Sequence, residues 1–320
     1  MTSYIKKIFV IVLLVVTLAC LYLKKQIYSD GPLEYSAYVL INKGNGSSVV
    51  ASKLKNAGVI SNALIFKIAA RALNLDKKLK AGEYSFSPRI SMFEALKKLA
   101  RGEIIYRKIT LPEGLTTKQI LQIIKNEPML DGDISIEVNE GDLLPETYSF
   151  VRGDTKDNII KQAKRAMEEA LREAWKNKDS SLPVKNTKEL LILASIIEKE
   201  TSVDDERTLV ASVFVNRLRK GMKLQTDPTV IYAITKGKKD LERLLNRKDL
   251  KIDSPYNTYK YYGLPPAPIC NPGKASISAA ANPEISNYLY FVADGNGGHN
   301  FAKSLQEHNN NVNRWKKLKK

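Results

Sequence analysis

The sequence predicts an α+β protein with an N-terminal transmembrane helix, a small domain and a larger mixed α/β domain. Three observations support this prediction. An uncharged apolar stretch lies near the N-terminus, strand-like and helical segments follow one another without a fixed repeat, and 320 residues suffice for two domains. Hydrophobic residues make up 43 % of the chain, a value typical of globular proteins, so global disorder is excluded.

The apolar stretch covers residues 8–23 and is flanked on each side by two lysines. Together with the preceding apolar residues Tyr4 and Ile5, it approaches the roughly 20 residues that cross a bilayer. We therefore expect residues 1–26 to form an uncleaved membrane anchor with a cytoplasmic end. A cleaved signal, or a lipoprotein attached at Cys20, is the alternative, because the residues before Cys20 resemble a degraded lipid-attachment box. The balanced lysines do not orient the helix.

The next region, residues 27–105, predicts a linker and a small domain. After a Gly- and Pro-containing linker the pattern predicts strand, helix, helix, strand and helix in that order. Ser91 and Glu94 have the spacing of a capping box before the last of these helices.

The larger domain is expected over residues 106–320 and contains a helix that is apolar nearly all round. This helix is predicted to begin at Thr187 as N-cap and to end with Glu198 and Glu200. Acidic side chains are unfavourable at a helix C-terminus, although they could simply be solvated there. At about 100° per residue the two glutamates point about 200° apart, so at most one enters a given cleft. The helical period does not show which of the two glutamates enters the cleft.

Two later segments predict irregular or hairpin structure. Residues 254–273 combine tyrosines with closely spaced prolines, which excludes regular helix and favours either a wall for a sugar or peptide or a packed surface loop. Residues 287–301 predict a buried strand, a glycine-rich turn and a second strand.

The formal net charge of +17 predicts an acidic partner, which could be nucleic acid, an anionic membrane or a polymer that carries carboxylates. The basic residues are dispersed and accompany no nucleic-acid-binding module, so we predict no nucleic-acid partner. Two cysteines and two histidines are too few for a disulfide framework or for most zinc sites. No metal and no cofactor are predicted.

Seven motifs in the second half occur in a characteristic order: ASIIEKET, SVFVNRL, LQTDPTVIYA, YNTY, GLPPAPI, NPG and YFVADGNGGH. Together they resemble the endolytic murein transglycosylases of the MltG type, the YceG-like family. The resemblance implies that the small domain is LysM-like and that residues 106–320 are catalytic. It also implies that Glu200, not Glu198, is the essential acid.

The implied reaction is lytic cleavage of the MurNAc-β-1,4-GlcNAc bond inside peptidoglycan glycan strands, with 1,6-anhydro-MurNAc ends as products. The implied partners are the glycan strands, the membrane and cell-wall synthases. The implied location is the bacterial inner membrane, with the catalytic domain on the periplasmic or extracellular side, where the enzyme would end the growth of nascent strands. The substrate-binding candidates are Asn216, Arg217, Gln225, Thr226, Asp227, Tyr256, Asn257, Thr258 and Tyr259.

Three alternatives remain open from the sequence. A membrane-anchored scaffold would bind peptidoglycan without cutting it. A hydrolytic muramidase would differ in giving reducing ends, and usually needs a second carboxylate. An enzyme that uses pyridoxal phosphate, resembling aminodeoxychorismate lyase, is disfavoured by the anchor and by the lack of an evident phosphate-binding segment.

Overall fold

The computed structural model describes residues 2–239 and 241–318, and within them the chain forms two compact units. The N-terminal unit contains residues 2–107 together with 150–153. The C-terminal unit contains residues 108–149 and the described residues from 154 onward. Helices and short strands alternate in both units, so a mixed α/β fold is confirmed.

The N-terminal unit has the predicted element order. Its helices and strands are α1 (Thr2–Tyr28), β1 (Ala37–Ile41), α2 (Ser47–Asn56), α3 (Ala63–Ala72), β2 (Gly82–Phe86) and α4 (Met92–Arg101). The strands β1 and β2 pair antiparallel, with Val39 opposite Tyr84, and two helices connect them. The Ser91 hydroxyl accepts a hydrogen bond from the Glu94 N–H at 3.2 Å, which caps α4 at the predicted residue.

Helix α1 includes a 25-residue segment, Tyr4–Tyr28, that is long and apolar enough to cross a membrane. The C-terminal end of this helix packs against the rest of the N-terminal unit. There Leu23 and Ile27 pack against the hydrophobic core, and the Tyr28 ring lies 4.8 Å from the Phe93 ring. The end of the apolar helix is therefore part of the folded unit.

The remaining helices are α5 (Thr117–Lys125), α6 (Lys156–Lys176), α7 (Thr187–Glu200), α8 (Arg207–Arg219), α9 (Asp227–Thr235), α10 (Lys274–Ala281) and α11 (Leu305–Leu318). The remaining strands are β3 (Arg107–Thr110), β4 (Thr147–Phe150), β5 (Tyr290–Ala293) and β6 (His299–Ala302). Strand β3 pairs with β4, and β5 pairs with β6. A full capping box at Thr116 and Gln119 starts α5.

Helix α7 is the central helix of the C-terminal unit, which explains why its sequence is apolar nearly all round. Its residues 190–197 are all buried, and α6, α8, α9 and α10 surround it. The N-cap prediction is wrong by one residue, because the side chain of Asn186 accepts the Glu189 N–H at 2.9 Å and Thr187 is the first helical residue. Asparagine is a better N-cap residue than threonine, so the preceding Asn186 takes the position.

The predicted hairpin is present as β5 and β6, which pair antiparallel with Phe291 opposite Phe301. All four residues of β5 are partly exposed, so the prediction of a buried strand is wrong. A two-stranded sheet has few neighbours to cover it, and here α11 packs against the hairpin.

Candidate active site

The C-terminal end of α7 brings one carboxyl group to a cavity. The helix ends at Glu200 because Thr201 adopts an extended conformation, and the Glu200 side chain is partly buried. Glu198 points elsewhere, since its Oε2 accepts the Gly273 N–H at 3.0 Å. The two glutamates therefore diverge as the helical angle requires, and only Glu200 lines this cavity.

The cavity has a volume of about 360 Å³, enough for part of an oligosaccharide. It combines polar side chains with aromatic and aliphatic ones. Its lining consists of Glu200, Phe214, Arg217, Leu224, Gln225, Thr226, Asp227, Tyr259, Tyr290, Phe291, Leu305 and His308.

Glu200 has the properties of a proton donor at neutral pH. Burial raises the pKa of its carboxyl to about 7, and the nearby carboxylate of Asp227 also raises it. The Thr226 hydroxyl donates a hydrogen bond to Glu200 Oε1, which favours the charged form and limits the rise of the pKa. A carboxyl with a pKa near 7 can both give and take a proton at physiological pH.

The backbone of Thr226 is anchored by Thr258. The Thr226 N–H donates to Thr258 Oγ1 at 3.1 Å, and the Gln225 N–H donates to the Thr258 carbonyl at 3.2 Å. A hydrogen bond of 2.8 Å joins the hydroxyls of Thr258 and Thr229. Gln225 adopts a left-handed conformation with φ of 53°, which is uncommon for a residue other than glycine and turns the chain beside Glu200.

A second carboxylate lines the cavity at Asp227, the first residue of α9. Its Oδ1 accepts the Tyr259 hydroxyl at 2.6 Å. Burial raises the pKa of the Tyr259 hydroxyl above its ordinary value, and the bond to Asp227 adds to this, so the tyrosine stays protonated. This pair connects the start of α9 to the loop that carries Tyr259.

Arg217 is a buried cation whose bonds join three segments around the cavity. Its Nε donates to the Leu289 carbonyl at 2.6 Å, and its Nη1 donates to the carbonyls of Lys223 and Leu224 at 3.1 and 2.8 Å. The guanidinium lies 5.0 Å from the ring centre of Tyr290. Arg217 therefore acts first as a positioning residue for the cavity wall.

The structure brings six of the ten predicted site residues to the cavity: Glu200, Arg217, Gln225, Thr226, Asp227 and Tyr259. The other four lie outside its lining. The Asn216 amide donates to two backbone carbonyls, of Ser286 at 2.8 Å and Tyr288 at 3.0 Å.

The other three outside residues belong to the predicted sugar-binding loop. The fully buried Asn257 donates to the carbonyls of Leu250 and Ile252 at 3.1 and 2.8 Å. Tyr256 packs its ring 4.9 Å from that of Tyr232. Thr258 is also buried, under Thr226. In this structure these three side chains hold the loop in place, and Tyr259 is the loop residue that reaches the cavity.

Sequence reasoning missed four cavity residues from the last part of the chain, of which two carry polar atoms, Tyr290 and His308. Their rings stack at 5.2 Å with an interplanar angle of 24°. Burial lowers the pKa of the His308 imidazole, and the charge of Arg217 lowers it further, which favours the neutral ring. His308 is one of only two histidines, but no local pattern connects it with residues a hundred positions earlier.

Comparison with known proteins agrees with the motifs. A family model described as the YceG-like family matches residues 39–314. The chain is 38 % identical over 309 residues to a Bacillus subtilis protein named endolytic murein transglycosylase, with 85 % of this chain and 83 % of that protein covered. A Streptococcus pneumoniae protein of the same name is 31 % identical over 324 residues, covering 86 % of this chain and 58 % of that protein.

A solved structure is also similar. The crystal structure of a YceG-like protein from Listeria monocytogenes matches with a TM-score of 0.53 and 34 % sequence identity, covering 86 % of this chain and 98 % of that one. This chain belongs to the YceG-like family, which confirms the resemblance that the seven motifs indicate.

Proposed function

We propose that this protein is an endolytic lytic transglycosylase that cuts the MurNAc-β-1,4-GlcNAc bond inside peptidoglycan strands. The observation that carries the proposal is Glu200, a carboxyl of pKa about 7 at the end of a buried helix in a cavity. The names of the relatives from B. subtilis and S. pneumoniae support the same reaction class. In the cell the cut would end the growth of a nascent strand.

In the proposed reaction one carboxyl does both proton transfers. Protonated Glu200 gives its proton to the glycosidic oxygen as the bond from C1 of MurNAc breaks, which releases the GlcNAc side as a free hydroxyl. The 6-hydroxyl oxygen of the same MurNAc then bonds to C1, and its proton passes to the Glu200 carboxylate. No water is consumed, and the enzyme returns to its starting protonation state.

A hydrolytic muramidase is the second candidate, and the observation that favours it is Asp227. This second carboxylate lines the same cavity and could direct a water molecule. The bond from the Tyr259 hydroxyl already occupies Asp227 Oδ1, however, which favours a positioning role for this side chain.

The N-terminal unit supports a LysM-like domain and a single-pass anchor. Two helices connect the antiparallel strands β1 and β2, a βααβ order that agrees with the LysM-like assignment over 27–105. The 25-residue apolar segment Tyr4–Tyr28 is long enough to span a bilayer, which supports an uncleaved single-pass anchor. We infer a location in the inner membrane with residues 106–320 outside the cytoplasm, where peptidoglycan and the cell-wall synthases lie.

The deciding experiment is mass spectrometry of the products that the full chain, in detergent micelles, makes from purified peptidoglycan strands. We expect internal fragments with 1,6-anhydro-MurNAc ends from the wild type. Glu200→Gln should lower their yield by about 10²-fold or more, since general acid catalysis contributes at least that much. Glu198→Gln is the matched control, because it removes a carboxyl from the same helix end but leaves Glu200 in the cavity. This variant should remain active.

Three results would contradict parts of the proposal. Reducing ends that disappear in Asp227→Asn would identify a hydrolase. Full activity of a folded Glu200→Gln variant would remove Glu200 from the reaction. Strand binding without any product from the wild type would indicate a scaffold.

A further inference from the structure

Helix α3 of the N-terminal unit exposes one face that combines aliphatic and basic side chains. Leu64 and Ile68 are 63 % and 46 % exposed, and Lys67 and Arg71 are exposed beside them. Their spacing of three and four residues places all four on one side of the helix, where they form the α3 face. The opposite side of α3 is buried in the unit. Aliphatic side chains exposed together in one patch are typical of an interaction surface.

The α3 face lines an open groove of about 460 Å³ that carries a positive charge. The charged residues of its lining are Lys67, Arg71 and Asp76. Among the described residues neither of the two cations is paired with a carboxylate. Both are therefore available to an anionic partner.

Helix α3 also lies against the end of the apolar helix α1. The two helices are in contact, and the Ser61 hydroxyl, just before α3, donates to the Gln26 side-chain oxygen at 3.4 Å. The uncharged stretch of α1 ends at Leu23, and Gln26 lies about 4.5 Å further along the helix axis. The headgroup layer on each side of a bilayer is roughly 5–8 Å thick. When α1 spans a bilayer, the start of α3 therefore lies at the depth of the lipid headgroups.

The excess of positive charge is concentrated beside this helix end. Residues 26–107 contain 13 lysines and arginines against 6 aspartates and glutamates, whereas the much longer segment 108–320 contains 34 against 28. Aliphatic and basic side chains on one helix face fit a bilayer surface, where acyl chains and phosphates lie close together. A glycan would favour flat aromatic rings, and the α3 face supplies none.

We propose that the α3 face binds anionic phospholipids at the surface of the membrane that α1 spans. Lys67 and Arg71 bind the lipid phosphates, and Leu64 and Ile68 enter the boundary between headgroups and acyl chains. This contact holds the N-terminal unit against the bilayer. The inference rests on the membrane anchor of the proposed function.

The test measures contact between α3 and lipid in the full chain, inserted in nanodiscs. A fluorophore is attached at Ala72→Cys, which lines the same groove and leaves the α3 face intact. Cys20→Ser removes the exposed thiol, and Cys270 is buried and stays unlabelled. The nanodiscs contain phosphatidylcholine alone, or equal parts of phosphatidylcholine and phosphatidylglycerol, each with the same share of a lipid whose headgroup carries a nitroxide quencher. We expect stronger quenching with phosphatidylglycerol, and added salt should reduce the difference.

Two pairs of substitutions separate the α3 face from the overall charge of the unit. Lys67→Gln with Arg71→Gln should remove most of the extra quenching, since each cation at an anionic surface shifts the equilibrium about five-fold. Lys43→Gln with Lys55→Gln removes the same charge from exposed positions outside the groove lining and should keep the extra quenching.

The outcomes separate this inference from the proposed anchor and reaction. Equal quenching in the two kinds of nanodisc, or an equal loss in both pairs of variants, overturns the lipid contact of the α3 face. A fluorescence change caused by peptide-free glycan strands, with no effect of phosphatidylglycerol, would identify a glycan groove instead. A chain that does not enter nanodiscs overturns the anchor and the lipid contact together. None of these results changes whether Glu200 cuts the strand.

Discussion

Replacement of Glu200 by glutamine should make the C-terminal unit more stable at alkaline pH, because the glutamine side chain cannot ionise. Burial raises the pKa of the Glu200 carboxyl from its ordinary 4.5 to about 7 in the folded protein. Between these two values the folded state holds a proton that the unfolded state has released. The wild-type free energy of unfolding therefore falls as the pH rises from about 4.5 to 7 and levels off above that range.

The size of the effect follows from the difference of about 2.5 pH units between the two pKa values. At about 1.4 kcal/mol per unit, the upper limit is about 3.5 kcal/mol. The carboxyl keeps some contact with the open cavity, so we expect about 2–3 kcal/mol. Glu200→Gln should be close to the wild type in stability at pH 5 and more stable by this amount at pH 8.

The two tryptophans of the chain provide a selective assay. Trp175 on α6 and Trp315 on α11 both belong to the C-terminal unit, so tryptophan fluorescence during urea unfolding reports on that unit. The full chain is unfolded in detergent micelles at several pH values between 5 and 8. Glu198→Gln is the control and should follow the wild-type pH dependence, because it leaves Glu200 in place. Parallel pH curves for the wild type and Glu200→Gln would refute the assignment of a raised pKa to this carboxyl.

Two further substitutions test the groups that support Glu200. Thr226→Val removes the hydroxyl that favours the charged carboxylate and so raises the pKa of Glu200. The alkaline limb of the pH profile of kcat/KM should therefore move to higher pH, whereas Thr226→Ser should leave it in place. Arg217→Lys keeps the charge but loses the planar group that bonds to several carbonyls. We expect a loss of about 2–4 kcal/mol in the free energy of unfolding, measured by the same fluorescence assay. Unchanged stability would contradict the positioning role of Arg217.

Much of the fold could be predicted from local patterns. The central position of α7, its end at Glu200 and the hairpin near the C-terminus all follow from runs of apolar residues, caps and glycines that act over a few positions. The N-cap at Asn186 and the partial exposure of β5 depend on competing side chains and on neighbouring elements, which a local pattern does not contain.

The candidate site could be predicted only in part for the same reason. Helical geometry already implied that Glu198 and Glu200 diverge, but the choice between them required the family resemblance. Residue type does not tell whether an amide binds a sugar or a backbone carbonyl. Asn216 and Asn257 both bond to carbonyls in the structure. His308 reaches the cavity only because α11 packs on the β5–β6 hairpin, a contact between distant parts of the chain.

The proposed chemistry places two opposite demands on Glu200, and its surroundings balance them. A good acid for the leaving oxygen should lose its proton easily, whereas a good base for the 6-hydroxyl should bind one firmly. A pKa close to the working pH is the compromise that serves both steps. Burial and Asp227 raise the pKa while the Thr226 hydroxyl lowers it. Since Thr258 anchors the backbone of Thr226, this buried threonine would affect the reaction through Glu200 without touching the glycan.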